Sequence, residues 1–104
     1  MPDYMFIYHG GGKPETQEEG EKAMAAWNAW YTEMGDAVIH DGGPAGMSRT
    51  VSHAGVANDG GSNPISGMTL VKAADHDAAC DMAKGCPIVQ DGTGTVEVAE
   101  LIQL

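Results

Sequence analysis

At 104 residues, 42% hydrophobic and 19% charged, the chain is long enough for one compact domain and too short for two of ordinary size. Fifteen Asp and Glu against five Lys and Arg give a formal charge of -10, which argues against nucleic acid as a partner and against anionic membrane surfaces, since both need clustered cations. No apolar run approaches the ~20 residues that span a bilayer, and no basic region precedes the first apolar run, so a cytoplasmic protein is expected.

Tyr4, Met5, Phe6, Ile7 and Tyr8 form an apolar run closed by His9 and three glycines, the pattern of a strand covered on both faces. After Pro14, Thr16-Gln17-Glu18-Glu19 fits a capping box. Met24, Trp27, Tyr31 and Met34 follow at steps of three, four and three, with Ala23, Ala26 and Trp30 broadening the stripe, so the spacing predicts a helix over 16–34 stopped by Gly35. A second strand is expected over 36–41, bending at Gly42-Gly43-Pro44. Residues 48–53 are mostly polar with a β-branched centre and suit an edge strand. Residues 55–64 read as a turn-rich loop. A third main strand covers 66–73, Asp75 caps a second helix that runs to Gly85, Pro87 prevents its continuation, and a last strand covers 95–104.

A β-α-β-β-α-β order in this length is the ferredoxin-like split arrangement: a four-stranded antiparallel sheet with two helices on one face, an α+β fold. Two helices cover one side only, yet the first strand is apolar on both. The exposed face therefore calls for a partner, most simply a second copy related by a two-fold axis, giving a homodimer through the sheet face in the manner of a dimeric α/β barrel.

The segments Trp27-Asn28-Ala29-Trp30, Gly35-Asp36-Ala37, Asp41-Gly42-Gly43-Pro44, Thr50-Val51-Ser52, Ala83-Lys84-Gly85-Cys86-Pro87-Ile88 and Gly94-Thr95-Val96-Glu97-Val98 together resemble the YCII-related proteins across nearly the whole chain. The resemblance implies a ferredoxin-like fold and a dimeric α/β barrel, and little about chemistry. One branch resembles small lyases and dehydrochlorinases with a histidine on the first helix and an aspartate before the proline after the second. Met24 and Cys86 stand at those positions here. The branch named for Asp-Gly-Pro-Phe is matched loosely by Asp41-Gly42-Gly43-Pro44-Ala45.

Histidine is the side chain most readily tuned for proton transfer near neutral pH. His9 and His40, each at a strand end, are the candidate general bases. Adjacent strand residues point to opposite faces, which separates His40 from Asp41. Arg49, the single arginine, is a candidate clamp for a carboxylate. Trp27 and Tyr31 sit at core spacing and double as candidate walls of a ligand pocket. His76 and Cys80 share a helix face but lack further ligands, so no metal site is expected, and Cys80 and Cys86 read as free thiols. The paired glycines match no phosphate-binding motif and no cofactor is implied. Two functions follow: a dimeric domain binding a small, acidic molecule in a cleft between helix and sheet, or a cofactor-independent lyase or isomerase using a histidine base with Arg49 holding its substrate.

Overall fold

The computed structural model describes residues 1–104. The chain runs β1 (Asp3–Gly10), α1 (Gln17–Met34), a 3-10 turn (Gly35–Ala37), β2 (Val38–Pro44), β3 (Thr50–Ser52), β4 (Gly55–Ala57), β5 (Ile65–Lys72), α2 (His76–Ala83), α3 (Pro87–Gln90) and β6 (Gly94–Leu101). One sheet carries β2, β5, β1 and β6 in that order, every neighbouring pair antiparallel. This is the ferredoxin-like architecture expected, with β1 and β5 central. No helix is long and apolar enough to cross a membrane.

The alternation in β1 divides the molecule. Tyr4, Phe6 and Tyr8 are buried, whereas Met5, Ile7 and His9 are only half-buried. The buried set joins Val71 of β5 with Trp30 of α1, Ala79 and Ala83 of α2, Cys86 and Ile88 in one core. Phe6, wholly buried, stacks on Trp30 with ring centroids 6.0 Å apart. The Trp30 indole N–H donates to the Met82 carbonyl at 3.0 Å, which satisfies the one polar atom of a buried side chain. Gly85 lies directly against that indole, where a Cβ would stand 3.1 Å from the ring.

The helix ends follow from the local sequence. Thr16 Oγ1 accepts the Glu19 N–H at 3.1 Å, and Asp75 accepts the Ala78 N–H at 2.8 Å. The reciprocal half of the expected capping box is displaced by one residue: the Glu19 carboxylate accepts the Glu15 N–H at 2.8 Å rather than that of Thr16. Gly35 closes α1 with φ +53°.

Four local expectations change. Residues 48–53 do not join the main sheet, and 55–64 is not all loop: β3 and β4 pair with each other as a separate ribbon. The turn between them is closed by the Ala54 N–H to Ser52 Oγ and by Gly55 at φ +130°. Pro87 ends α2 but also begins α3, because its fixed φ suits the first position of a helix where no N–H is needed. β2 starts at Val38 and runs through the glycines to Pro44 by way of register shifts. Gly42 there has φ +62°, a conformation that favours glycine.

Phe6→Ala should lower the unfolding free energy by about 3–5 kcal/mol in urea titration, the cost of a cavity in a packed aromatic core. Met24→Ala, at a side chain 67% exposed on α1, should stay within about 0.5 kcal/mol.

Candidate functional site

A cleft of about 580 Å³ opens between α1 and the sheet. Met24, Trp27, Asn28 and Tyr31 line it from α1. Gly10, Gly11, Gly12 and Lys13 line it from the end of β1, and residues 41–44 from β2. Tyr8, Ser66 and Ile88 complete the lining.

The innermost polar groups form one hydrogen-bonded knot. Thr69 Oγ1, on β5 and fully buried, lies 2.6 Å from Tyr8 Oη, 2.8 Å from Tyr31 Oη and 3.2 Å from the Asp41 carbonyl oxygen. A carbonyl only accepts. Thr69 donating to Asp41 and receiving from both tyrosines satisfies all three hydroxyls at once. Each phenol oxygen then keeps a lone pair for a donor in the cleft. Tyr31 also has the Asp41 carbonyl within 3.2 Å as a second acceptor for its proton. Burial holds the Tyr8 phenol far above its ordinary pKa, so it stays protonated. Trp27 packs edge-on against Tyr8, with centroids 5.2 Å apart, and forms an aromatic wall beside the knot.

Beyond Tyr31 a more open hollow of about 480 Å³ continues along the C-terminal end of α1. It shares Asn28, Tyr31 and Asp41 with the cleft and adds Gly35, Val38, Ile39 and His40.

Of the residues singled out from sequence, Trp27 and Tyr31 line the cleft, whereas His9, His40 and Arg49 do not. His9 projects from the opposite, helix-free face of the sheet. Its Nε2 lies 2.9 Å from Glu97 Oε1 and its Nδ1 lies 3.2 Å from the Pro64 carbonyl oxygen. Both partners accept, so only the imidazolium satisfies both. His40 borders the open hollow, with its side chain 69% exposed. Its Nδ1 accepts the Gly42 N–H at 2.9 Å, so that nitrogen cannot also donate to the Asp41 carboxylate 4.0 Å away. The bulged register of β2 brings these neighbours together where plain alternation separates them. Arg49 stands on the β3–β4 ribbon, its Nε donating to Asn58 at 3.1 Å. The combination of a histidine base with Arg49 is therefore not assembled in either concavity.

His76 Nε2 donates to the Val98 carbonyl at 2.9 Å, and its ring lies 5.3 Å from that of Tyr4. No three His, Cys, Asp or Glu side chains converge. Cys86 is buried in the core, and burial pushes its thiol pKa up, away from reactivity.

Tyr8, Thr69, Asn28 and Lys13 were not singled out from sequence. Two signals point to them. Tyr8 and Thr69 alternate onto the helix-covered face, and Asn28 is the polar member of an i, i+4, i+7 row with Met24 and Tyr31.

The sequence matches no protein-family profile and no curated protein. The fold is similar to that of the 5-chloro-2-hydroxyhydroquinone dehydrochlorinase from Burkholderia phenoliruptrix, solved in complex with 2,5-dihydroxybenzoquinone. The TM-score is 0.58, over 96% of this chain and 95% of that one, at 14% identity. At that identity the likeness is one of fold alone.

The His9 contacts carry a pH dependence. Its pKa is raised above 6.5, chiefly by the Glu97 hydrogen bond, with desolvation opposing and the Pro64 carbonyl assisting. A raised value in the folded state stabilises the protonated fold. That contribution is complete below the unfolded value of about 6.5 and is lost as pH rises through the raised one. Thermal unfolding followed from acid to alkaline pH should show a fall in midpoint across that interval which His9→Gln removes. Identical profiles for the two proteins would contradict the ion pair.

Proposed function

We propose that the protein binds a small, largely apolar, oxygen-bearing acidic molecule in the cleft between α1 and the sheet, as one half of a homodimer paired through the helix-free sheet face. The observation that carries the ligand reading is the Tyr8–Thr69–Tyr31 knot beside Trp27. It offers phenol oxygens able to accept a hydrogen bond at the base of a concavity whose volume suits a small ligand. Lys13, rather than Arg49, supplies the cation at this site. The pairing reading rests on Met5, Ile7, Met68, Leu70 and Ala99, an apolar set that no helix covers.

Binding is preferred over catalysis because the titratable side chains lining the cleft are Tyr8, Lys13, Tyr31 and Asp41, and Tyr8 is held protonated. A histidine base of the kind a lyase or isomerase would use is not among them. The structurally similar dehydrochlorinase was solved with a quinone, which makes 2,5-dihydroxybenzoquinone a reasoned first probe.

Isothermal titration with 2,5-dihydroxybenzoquinone should give saturable binding. Tyr31→Phe should weaken it about five- to tenfold, the worth of one hydrogen bond, and Trp27→Ala should weaken it further, while Arg49→Ala leaves it unchanged. Binding that ignores Tyr31 and Trp27 but responds to Arg49 would sink the assignment of this cleft.

A further inference from the structure

Between β2 and β5 the chain leaves the body of the protein. β3 and β4 pair only with each other, Thr50 opposite Ala57, Val51 opposite Val56 and Ser52 opposite Gly55, and all six residues are exposed. The molecule measures 44 × 43 × 20 Å, with a radius of gyration of 14.8 Å. A compact chain of this length would have a radius of about 13 Å. The ribbon is an arm, not part of the globule.

Such an arm is poorly supported by itself. A free two-stranded hairpin is marginally stable in water, and this one has three-residue strands. Its side-chain hydrogen bonds are internal, Arg49 to Asn58 and Thr50 to the Asp59 carbonyl. Val51 and Val56, directly opposed on one face of the ribbon, are 78% and 55% exposed. Met47, just before the ribbon, is also fully open to solvent.

The charge pattern indicates the occupant. From Gly42 to Asn58 there is no acidic residue, and the segment holds the only arginine. All fifteen carboxylates lie elsewhere in the same chain. The arm is thus apolar and weakly cationic on a strongly acidic body, complementary to another copy of that body. Nucleic acid is excluded as the occupant, because a single arginine neutralises too few phosphates. The position fits as well: His9, on the helix-free face, bonds the Pro64 carbonyl at the returning end of the arm, tying its base to the side where a second sheet would lie.

We propose that the β3–β4 ribbon is an association arm that lies on the acidic surface of a second copy of this chain, with Val51 and Val56 as its apolar contact and Arg49 as its charge contact. The proposal rests on the reading that two copies pair through the sheet face. Under two-fold symmetry each arm embraces the other copy, so the two arms add to the interface equally.

Sedimentation equilibrium on the full chain tests both ideas separately, using wild type, the arm variants Val51→Asp/Val56→Asp and Arg49→Glu, and the sheet-face variant Leu70→Asp. Circular dichroism melts confirm that each variant folds, which is expected because none of these side chains lies in the core. The wild type should dimerise at micromolar concentration. The double arm variant should raise the dissociation constant at least about tenfold, and Arg49→Glu should raise it as well, by setting like charges against each other. A dimer that survives both arm variants while Leu70→Asp dissolves it removes the arm proposal and leaves the sheet pairing standing. A dimer dissolved by the arm variants but not by Leu70→Asp supports the arm and removes the sheet pairing. A wild type that stays monomeric overturns both.

Discussion

A four-stranded sheet has two faces, and this chain has helices enough for one. Everything else follows from how β1 meets that constraint. Its odd-numbered and even-numbered side chains are both largely apolar, so the strand is written for burial on both sides. On one side Tyr4, Phe6 and Tyr8 disappear beneath α1, α2 and α3. On the other, Met5 and Ile7 remain half-buried beside the His9–Glu97 pair. A single chain leaves the second half of that pattern unfinished.

The covered face does more than hold the core. Where Phe6 meets Trp30 the packing is fully apolar. One step along β1, at Tyr8, the aromatic layer acquires hydroxyls, and the knot with Thr69 and Tyr31 ties β1, β5 and α1 to the Asp41 carbonyl of β2. Buried hydroxyls satisfied by one another cost little to bury and fix the rotamers of the groups that carry them. The cleft lies over this knot, so the same contacts that hold α1 against the sheet shape the floor a ligand would meet. Gly42, with its left-handed backbone, and the bulges in β2 bring the Asp41 carbonyl within reach of the knot. The glycines that looked like punctuation in the sequence border the cleft instead.

Much of this was legible before the structure. The 3.6-residue stripe of α1, the Thr16 and Asp75 caps and the alternation in β1 act over a few residues and appear as expected, except that Met24 and Ala26 of the stripe lie exposed. The same stripe places Trp27 and Tyr31 along the cleft. What escaped was long-range or set by backbone irregularity. Tyr8 and Thr69 stand 61 positions apart, and nothing local marks them as partners. His9 ends its strand as a candidate base, but period-two alternation places it on the helix-free face, with Glu97 rather than a ligand. Arg49 stands out by its charge alone, and nothing in its neighbourhood marks that its segment pairs with itself and leaves the sheet. The turn from Ser52 to Gly55 that makes this possible depends on one side-chain cap and one positive φ, signals too short to outweigh the polar composition around them.

The central claim is that the helix-free face of the sheet is finished by a second copy. An isotope-filtered NOE experiment on an equal mixture of labelled and unlabelled protein tests it most directly. The account predicts intermolecular contacts among the side chains of Met5, Ile7, Met68 and Leu70. Intermolecular contacts confined to the outer surfaces of α1 and α2, or none at concentrations well above micromolar, would contradict it.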